Sequence, residues 1–325
     1  MGENEALALL NNINGTIAVV GSMNADYTVV TPRLPNPGET VLGGALQILP
    51  GGKSGNQAAA AARIGANVKI FGAVGSDDNA DFLLEKLNDA GVDTAHVRRV
   101  AGASGTTVIT VDEHGENTIV YSPGANAAVS VGYISSMQDM LCKASVLGLC
   151  LESPMETVTA CAKICHNKGV KVLLNNSPFK ETLPQELVEN ADVLLVNEHE
   201  MAQLLKIDEP EDGDWLSFDW ESVVPKMKAY GFNQAIITLG GDGSMILDSL
   251  APQHVTHVKA APIKPVDTTG CGDAFMGTIL AGLSSGYTLS QSAQMASFVA
   301  AYAAMDQGAQ ASYGTSKEII KTFSK

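Results

Sequence analysis

Along most of this chain, a short run that is apolar at every position alternates with a longer segment of helical periodicity. That rhythm restricts the fold more than any single motif. "TIAVVGS" (Thr16–Ser22) is apolar, β-branched and closed by a glycine and a serine. Further on, "SGNQAAAAARIG" reads as a helix closed by Gly65, "VKIFGAVG" as a strand and "DNADFLLEKLNDAG" as an amphipathic helix. "ASVLGLC" precedes the helical "METVTACAKICHNKG". "VKVLLNN" follows, "ADVLLVN" leads into "EHEMAQLL", and "QAIITLG" comes next. A strand with one wet face alternates polar and apolar residues, so a strand that is apolar throughout is covered on both faces. Strands of that kind between helices predict an α/β fold: a doubly wound, mostly parallel sheet in an α/β/α sandwich.

Two segments break the rhythm. Tyr27–Leu49 carries prolines and short β patches, and "TTVITVDEHGENTIVY" within Arg98–Tyr121 alternates around a polar turn, as a hairpin does. Isolated hairpins are marginal, so the two pieces are expected to pair into one small β sheet that covers the site as a lid. The expected division is a catalytic domain of residues 1–26, 50–97 and 122–325, with a lid of 27–49 and 98–121. The acidic, turn-rich "DEPEDGDWLSFDW" (Asp208–Trp220) reads as a surface loop.

Charge excludes some partners. Against 20 basic residues stand 35 acidic ones, a net −15, and no basic stripe occurs. Nucleic-acid binding needs concentrated positive charge and is not expected. A polyanionic small ligand remains compatible, because amides, metal ions and one lysine act locally. No apolar run reaches membrane-spanning length, and the N-terminal "MGENEALALLNNINGT" reads as neither a secretory signal nor a basic transit peptide. The five cysteines, Cys142, Cys150, Cys161, Cys165 and Cys271, show no zinc or redox spacing. They read as core thiols in a reducing compartment, hence a cytoplasmic protein.

Nucleotide signatures are absent in their common forms. "PGGKSGN" would need its first P-loop glycine at Gln47, and no clear apolar strand is read running straight into it. Neither Gly241/Gly243 nor Gly270/Gly272 completes G-x-G-x-x-G, since Ile246 and Phe275 occupy the sixth positions. A dinucleotide-dependent dehydrogenase is therefore poorly supported.

The polar clusters point elsewhere. In open parallel sheets, ligands sit beyond the carboxyl ends of strands. "GSMNAD" places Asn24 and Asp26 after the first strand, "GGKSGNQ" places Lys53 and Asn56 at a turn before a helix, and Glu152 follows "SVLGLC". An Asp carboxylate accepts from neighbouring hydroxyls, and an Asn both donates and accepts. Together these residues have the character of a polyol site. In "VDTTGCGDAFMGTILAGL", Asp273 follows a glycine turn at the mouth of an apolar helix. Acidic residues commonly occupy helix starts, but the same free N–H groups can hold a substrate anion while the Asp removes a proton beside it.

In order and spacing, "GSMNAD", "PGGKSGNQAAAAARIG", "LESP", "VNEHE", "TLGGDG", "VDTTGCGDAFMG" and "GAQAS" resemble the ribokinases, a branch of the PfkB-type carbohydrate kinases. The resemblance covers nearly the whole chain except the first dozen residues and the acidic insert. It implies ATP-dependent phosphorylation of D-ribose at its 5-hydroxyl. Asp273 would be the base, and the amides of Gly270, Cys271, Gly272 and Asp273 the anion hole. Asn24, Asp26, Gly52, Lys53, Asn56 and Glu152 would bind ribose. Asn197 and Glu200 would hold Mg2+ and phosphate, largely through water. Thr238, Gly240, Gly243 and Ser297 would line the ATP site. Asp267, Thr269, Ala303, Asp306, Gly308 and Ser312 would surround K+. A homodimer through the lid edges is also expected.

The chain departs from the family at Cys271, where Ala is usual, at Ser54-Gly55, at Ser297, where bacterial relatives can place His against adenine, and at Asp306. The alternatives are a same-family kinase for deoxyribose, another pentose or a nucleoside, and a catalytically idle sugar-binding or assembly protein. His199, His254 and His257 lack metal-ligand spacing, and Met295, Phe298, Tyr302 and Met305 are expected in the core.

Overall fold

The computed structural model describes residues 2–324. Its thirteen strands are β1 (Thr16–Val20), β2 (Asn24–Val30), β3 (Gln47–Gly51), β4 (Asn67–Val74), β5 (Val97–Arg99), β6 (Gly105–Val111), β7 (Asn117–Ser122), β8 (Val146–Leu149), β9 (Lys171–Asn175), β10 (Val193–Asn197), β11 (Gln234–Thr238), β12 (Ser244–Asp248) and β13 (Val255–Val258). Nine form one sheet in the order β13-β12-β11-β10-β9-β8-β1-β4-β5. Its pairings are parallel from β5 to β11 and antiparallel only at β11–β12 and β12–β13.

The apolar runs explain the sandwich. Successive side chains point to opposite faces of a strand, so Ile17 and Val19 join one apolar layer while Ala18 and Val20 join the other. Neither face is left to water. On the first face, the helix Cys271–Ser284 crosses the helix Lys53–Arg63. A Cβ at Gly277 would stand 2.5 Å from the carbonyl of Gln57 and 3.0 Å from the Ala60 Cβ. The alanine run and this glycine therefore bring two helix backbones close together, within reach of each other's first turns.

The other four strands form the small sheet, ordered β3-β2-β6-β7. β6 and β7 are the expected hairpin, and β2 joins the two segments by pairing parallel with β6. Asn24 pairs with Gly51 and Gly105, so the small sheet begins at Asn24 rather than after Asp26 and extends to Gly51 and Ser122. β3 does run into the Gly52-Lys53 turn, where no strand was read, because it is an edge strand of the small sheet and only half-buried. Arg98 and Arg99 pair with β4 in the large sheet.

Two sequence expectations need correction. The acidic insert is exposed along its charged positions, but Trp215 and Trp220 are only 6% and 2% exposed and pack on Phe218, anchoring it. Met305 is 43% exposed, because the helix Leu289–Ala303 ends before it, while Met295 and Phe298 are buried. Cys150, Cys161 and Cys165 are buried, Cys142 and Cys271 half-buried, and all five are free thiols.

Candidate active site

Asp273 lies in the first turn of the Cys271–Ser284 helix and is buried. Gly270 caps that helix with φ +75°, and a Cβ there would stand 2.5 Å from the Ala309 Cβ, so the turn needs glycine. The Tyr313 hydroxyl donates to the Gly270 carbonyl at 2.8 Å and fixes the turn from the far side. The N–H of Cys271 closes back onto the Thr268 carbonyl at 3.2 Å. Among the described residues, the N–H groups of Gly270, Gly272 and Asp273 have no protein acceptor, so they remain for an anion.

Both oxygens of the Asp273 carboxylate are held. Asn56 Nδ2 donates to Oδ2 and Gln57 Nε2 to Oδ1, each at 3.0 Å. Gln310 Nε2 in turn donates to Asn56 Oδ1 at 3.0 Å. Burial pushes the Asp273 carboxyl above the usual carboxylate range, and Lys53, Asn56 and Gln57 pull against it. Burial also opposes the Lys53 charge, but Asp273 and Glu152 outweigh it and raise the ammonium pKa. Lys53, Asn56 and Gln57 stand at i, i+3 and i+4 on one helix face. That spacing was the signal for Gln57, which the motif contained and the sequence reading left without a role.

The polyol cluster assembles around this carboxylate. Glu152 accepts from the Lys53 N–H at 2.9 Å and from the Ser22 hydroxyl. Asp26 accepts from Thr107, and burial, with Glu152 and Asp273 adding to it, raises its pKa to about 6. Cβ atoms added at Gly51 and Gly52 would stand 1.8 Å from Asp26 Oδ2 and 2.8 Å from the Asn24 N, so the glycine turn lies directly on both residues. Asn24 and Asp26 come from the small sheet, whereas Asn56 and Asp273 come from the sandwich. These polar groups thus meet where the two sheets meet.

On the other side of Asp273 a cleft of about 200 Å³ is lined by Lys53, Asn197, Glu200, Thr238 and Gly272. Asn197 and Glu200 form a reciprocal capping box at the helix Glu198–Leu205: Asn197 Oδ1 accepts the Glu200 N–H at 2.7 Å, and Glu200 Oε2 accepts the Asn197 N–H at 2.9 Å. Burial raises the Glu200 pKa. Thr238 and Gly272 also line a neighbouring cleft of about 490 Å³, with Gly240, Gly243, Cys271 and Ser297. Ser297 has no free donor for a ligand, because its hydroxyl donates to the Lys259 carbonyl at 2.8 Å and also accepts the Ala261 N–H at 2.9 Å. Burial, with Asp267 and Asp273 nearby, pushes the Cys271 thiol up to about 11.

The loops expected around a monovalent cation are tied together. Asp267 accepts the N–H of Thr269 and of Gly308, both at 2.9 Å, and these bonds hold its carboxyl low against the opposing effect of burial. Ser312 donates to the Ala309 carbonyl at 2.9 Å, and the exposed Asp306 carboxylate takes the Gln307 N–H at 2.8 Å on Oδ1. Ala303 is buried beside them. Among the described residues no cluster of three or more His, Cys, Asp or Glu is placed to hold a metal. An ion here would rest on carbonyls, one carboxylate, water and substrate phosphate. Oxygen donors of that kind suit hard cations.

Taken together, a held carboxylate stands between a hydroxyl-binding cluster and free helix-start amides facing an elongated cleft. That is equipment for moving an anionic group onto an alcohol. The chain is 34% identical over 281 residues to the ribokinase of Lactococcus lactis, covering 86% of this chain and 87% of the relative. It is 32% identical over 299 residues to the deoxyribokinase of Salmonella typhi, covering 91% and 95%. The structure of Arabidopsis thaliana ribokinase complexed with ribose and ATP superposes with a TM-score of 0.84 at 28% identity, covering 95% of this chain and 98% of that one. Residues 14–316 match the family-wide pattern of the pfkB family carbohydrate kinases, and the chain belongs to that family.

Proposed function

We propose that this protein transfers the γ-phosphoryl group of ATP to the 5-hydroxyl of D-ribose, giving ribose 5-phosphate and ADP. The observation that carries the reading is the place of Asp273. It is hydrogen-bonded to the polyol-side Asn56 and lines the same cleft as Glu200 and Thr238. Asn24, Asp26, Gly52, Lys53, Asn56 and Glu152 hold the sugar. Asp273 takes the hydroxyl proton, and the free amides of Gly270, Gly272 and Asp273 steady the migrating phosphoryl group; the Cys271 amide, expected among them, is taken by the Thr268 carbonyl. A carboxylate is a weak base, but it suffices when the proton moves late, as the hydroxyl oxygen bonds to phosphorus. Phosphoryl transfer asks for positioning and charge neutralisation more than covalent help, and this site supplies both.

Thr238, Gly240, Gly243 and the wall at Ser297 receive ATP. Asn197 and Glu200 hold Mg2+ with the phosphates, largely through water. K+ sits among Asp267, Thr269, Ala303, Asp306, Gly308 and Ser312, next to the anion hole. Asp267 and the tied carbonyl-bearing loops support that placement. The small sheet acts as a lid, and its exposed Val30, Ile48, Val108, Ile119 and Val120 support a homodimer through it. Five free thiols favour a reducing, cytoplasmic setting, and no helix among the described residues is long and apolar enough to cross a membrane.

The test is a coupled ADP-release assay with ribose, 2-deoxyribose, other pentoses and nucleosides. Ribose should give the highest kcat/KM. A higher value for deoxyribose or a nucleoside would overturn the substrate, and no turnover with any of them would overturn the activity.

A further inference from the structure

Asn126 has no place in the site described above. It sits on the turn Gly124–Ala128 after β7 and is fully buried. Its Oδ1 accepts the Met23 N–H at 3.1 Å, and its Nδ2 donates to Asn24 Oδ1 at 2.7 Å. Longer contacts run from Nδ2 to the Met23 carbonyl (3.3 Å) and the Tyr121 hydroxyl (3.5 Å).

A backbone N–H can only donate, so it fixes which end of the Asn126 amide faces Met23. The other end, Nδ2, must then face Asn24. A primary amide has one acceptor atom and one donor atom. With its Oδ1 taken, Asn24 has Nδ2 left, and among the described residues that nitrogen has no protein acceptor. Two residues on, Asp26 is acceptor-only when ionised. The lid strand therefore offers the sugar a donor at Asn24 and an acceptor at Asp26. That pair matches a hydroxyl array able to accept from one and donate to the other.

A second observation falls on the same contact. A Cβ added to Gly105, the first residue of β6, would stand 2.1 Å from Asn126 Nδ2 and 2.3 Å from Asn24 Oδ1. The lid strand starts against the amide pair, with no space for a methyl group.

We propose that Asn126 is a positioning residue that fixes the polarity of the Asn24 amide, and through it the selection of sugar hydroxyls. The proposal rests on the sugar-kinase reading. Its test therefore uses whichever pentose the parent turns over fastest, so a wrong substrate would sink that reading while this test still runs.

In Asn126→Asp the shape is kept but nothing can donate to Asn24 Oδ1. The Asn24 amide turns over and presents oxygen to the sugar. The sugar KM should rise about 10–100-fold, as expected where a site's hydrogen-bond polarity is mismatched, with kcat at saturation and the KM for ATP within about threefold of the parent. Gly105→Ala should show the same split by displacing the pair without removing an amide. In an Asn24→Ala background, Asn126→Asp should add almost nothing to the sugar KM. An unchanged sugar KM, equal losses in sugar and ATP KM, or additive effects in the double variant would each overturn the proposal. Thermal melts of all variants identify unfolding, and if Asn126→Asp does not fold, Gly105→Ala decides.

Discussion

Gln57 Nε2 stands 3.0 Å from Oδ1 of Asp273. A donor to a carboxylate favours its charged form and lowers its pKa. In Gln57→Leu that support is lost while burial remains. The acid limb of the kcat/KM profile should move to higher pH, and kcat at neutral pH should fall about 10-fold, near the worth of one hydrogen bond to a charged group. A pH–rate profile of the two proteins checks this. An unmoved limb would mean that Gln57 only packs.

Asp273→Asn keeps the size of the side chain and removes the proposed base. kcat should drop about 10²–10⁴-fold, the usual contribution of general base catalysis, while ribose still binds. Steady-state kinetics with calorimetric ribose titration separates the two effects. Near-normal turnover would take Asp273 out of the role.

Asp26 carries a functional cost that stability measurements can read. Its pKa is raised from 3.8 to about 6, chiefly by burial. The folded state thus binds more protons than the unfolded state between those values, and stability falls as pH rises through that window. Asp26→Asn escapes this penalty. Its stability advantage should be small at pH 4 and grow to roughly 2–3 kcal/mol above pH 7, while ribose binding is lost. In the parent, the ribose KM should rise as pH drops through about 6, because a protonated Asp26 no longer accepts from two hydroxyls. Chemical denaturation at a series of pH values tests the first claim. A constant stability difference between the two proteins would contradict it.

Potassium should activate the enzyme. The Asp267–Gly308 tie draws the 303–313 segment against the turn that carries the free amides, and Tyr313 of that segment holds Gly270. Rates in potassium should exceed those in tetramethylammonium several-fold, and Asp267→Asn should reduce the difference. Equal rates with both cations in the parent would discard the site.

Much of this was legible in the sequence where local chemistry decides. Runs such as "TIAVV" and "VLLVN" became β1 and β10 because an all-apolar strand has only one environment to go to. The glycine turn with Asp273, and Asn197 with Glu200, are local patterns and stand where their spacing put them. What stayed hidden depends on contacts between distant segments. Asn126 meets Asn24 across 102 positions, and Gln310 meets Asn56 across 254. Neither partner carries a local mark of that meeting. The start of the small sheet at Asn24 was set by register with β6, which no periodicity encodes. Trp215 and Trp220 sit in an acidic loop whose composition predicts exposure, and only the packed aromatic group shows that the loop is anchored.

The most direct test of the account is a crystal structure with ribose and a non-hydrolysable ATP analogue bound together. The account predicts the ribose 5-hydroxyl oxygen about 2.6–3.2 Å from the Asp273 carboxylate, with the terminal phosphate at the N–H groups of Gly270, Gly272 and Asp273. A ribose held with that hydroxyl turned away from Asp273, in a closed complex with nucleotide present, would contradict it.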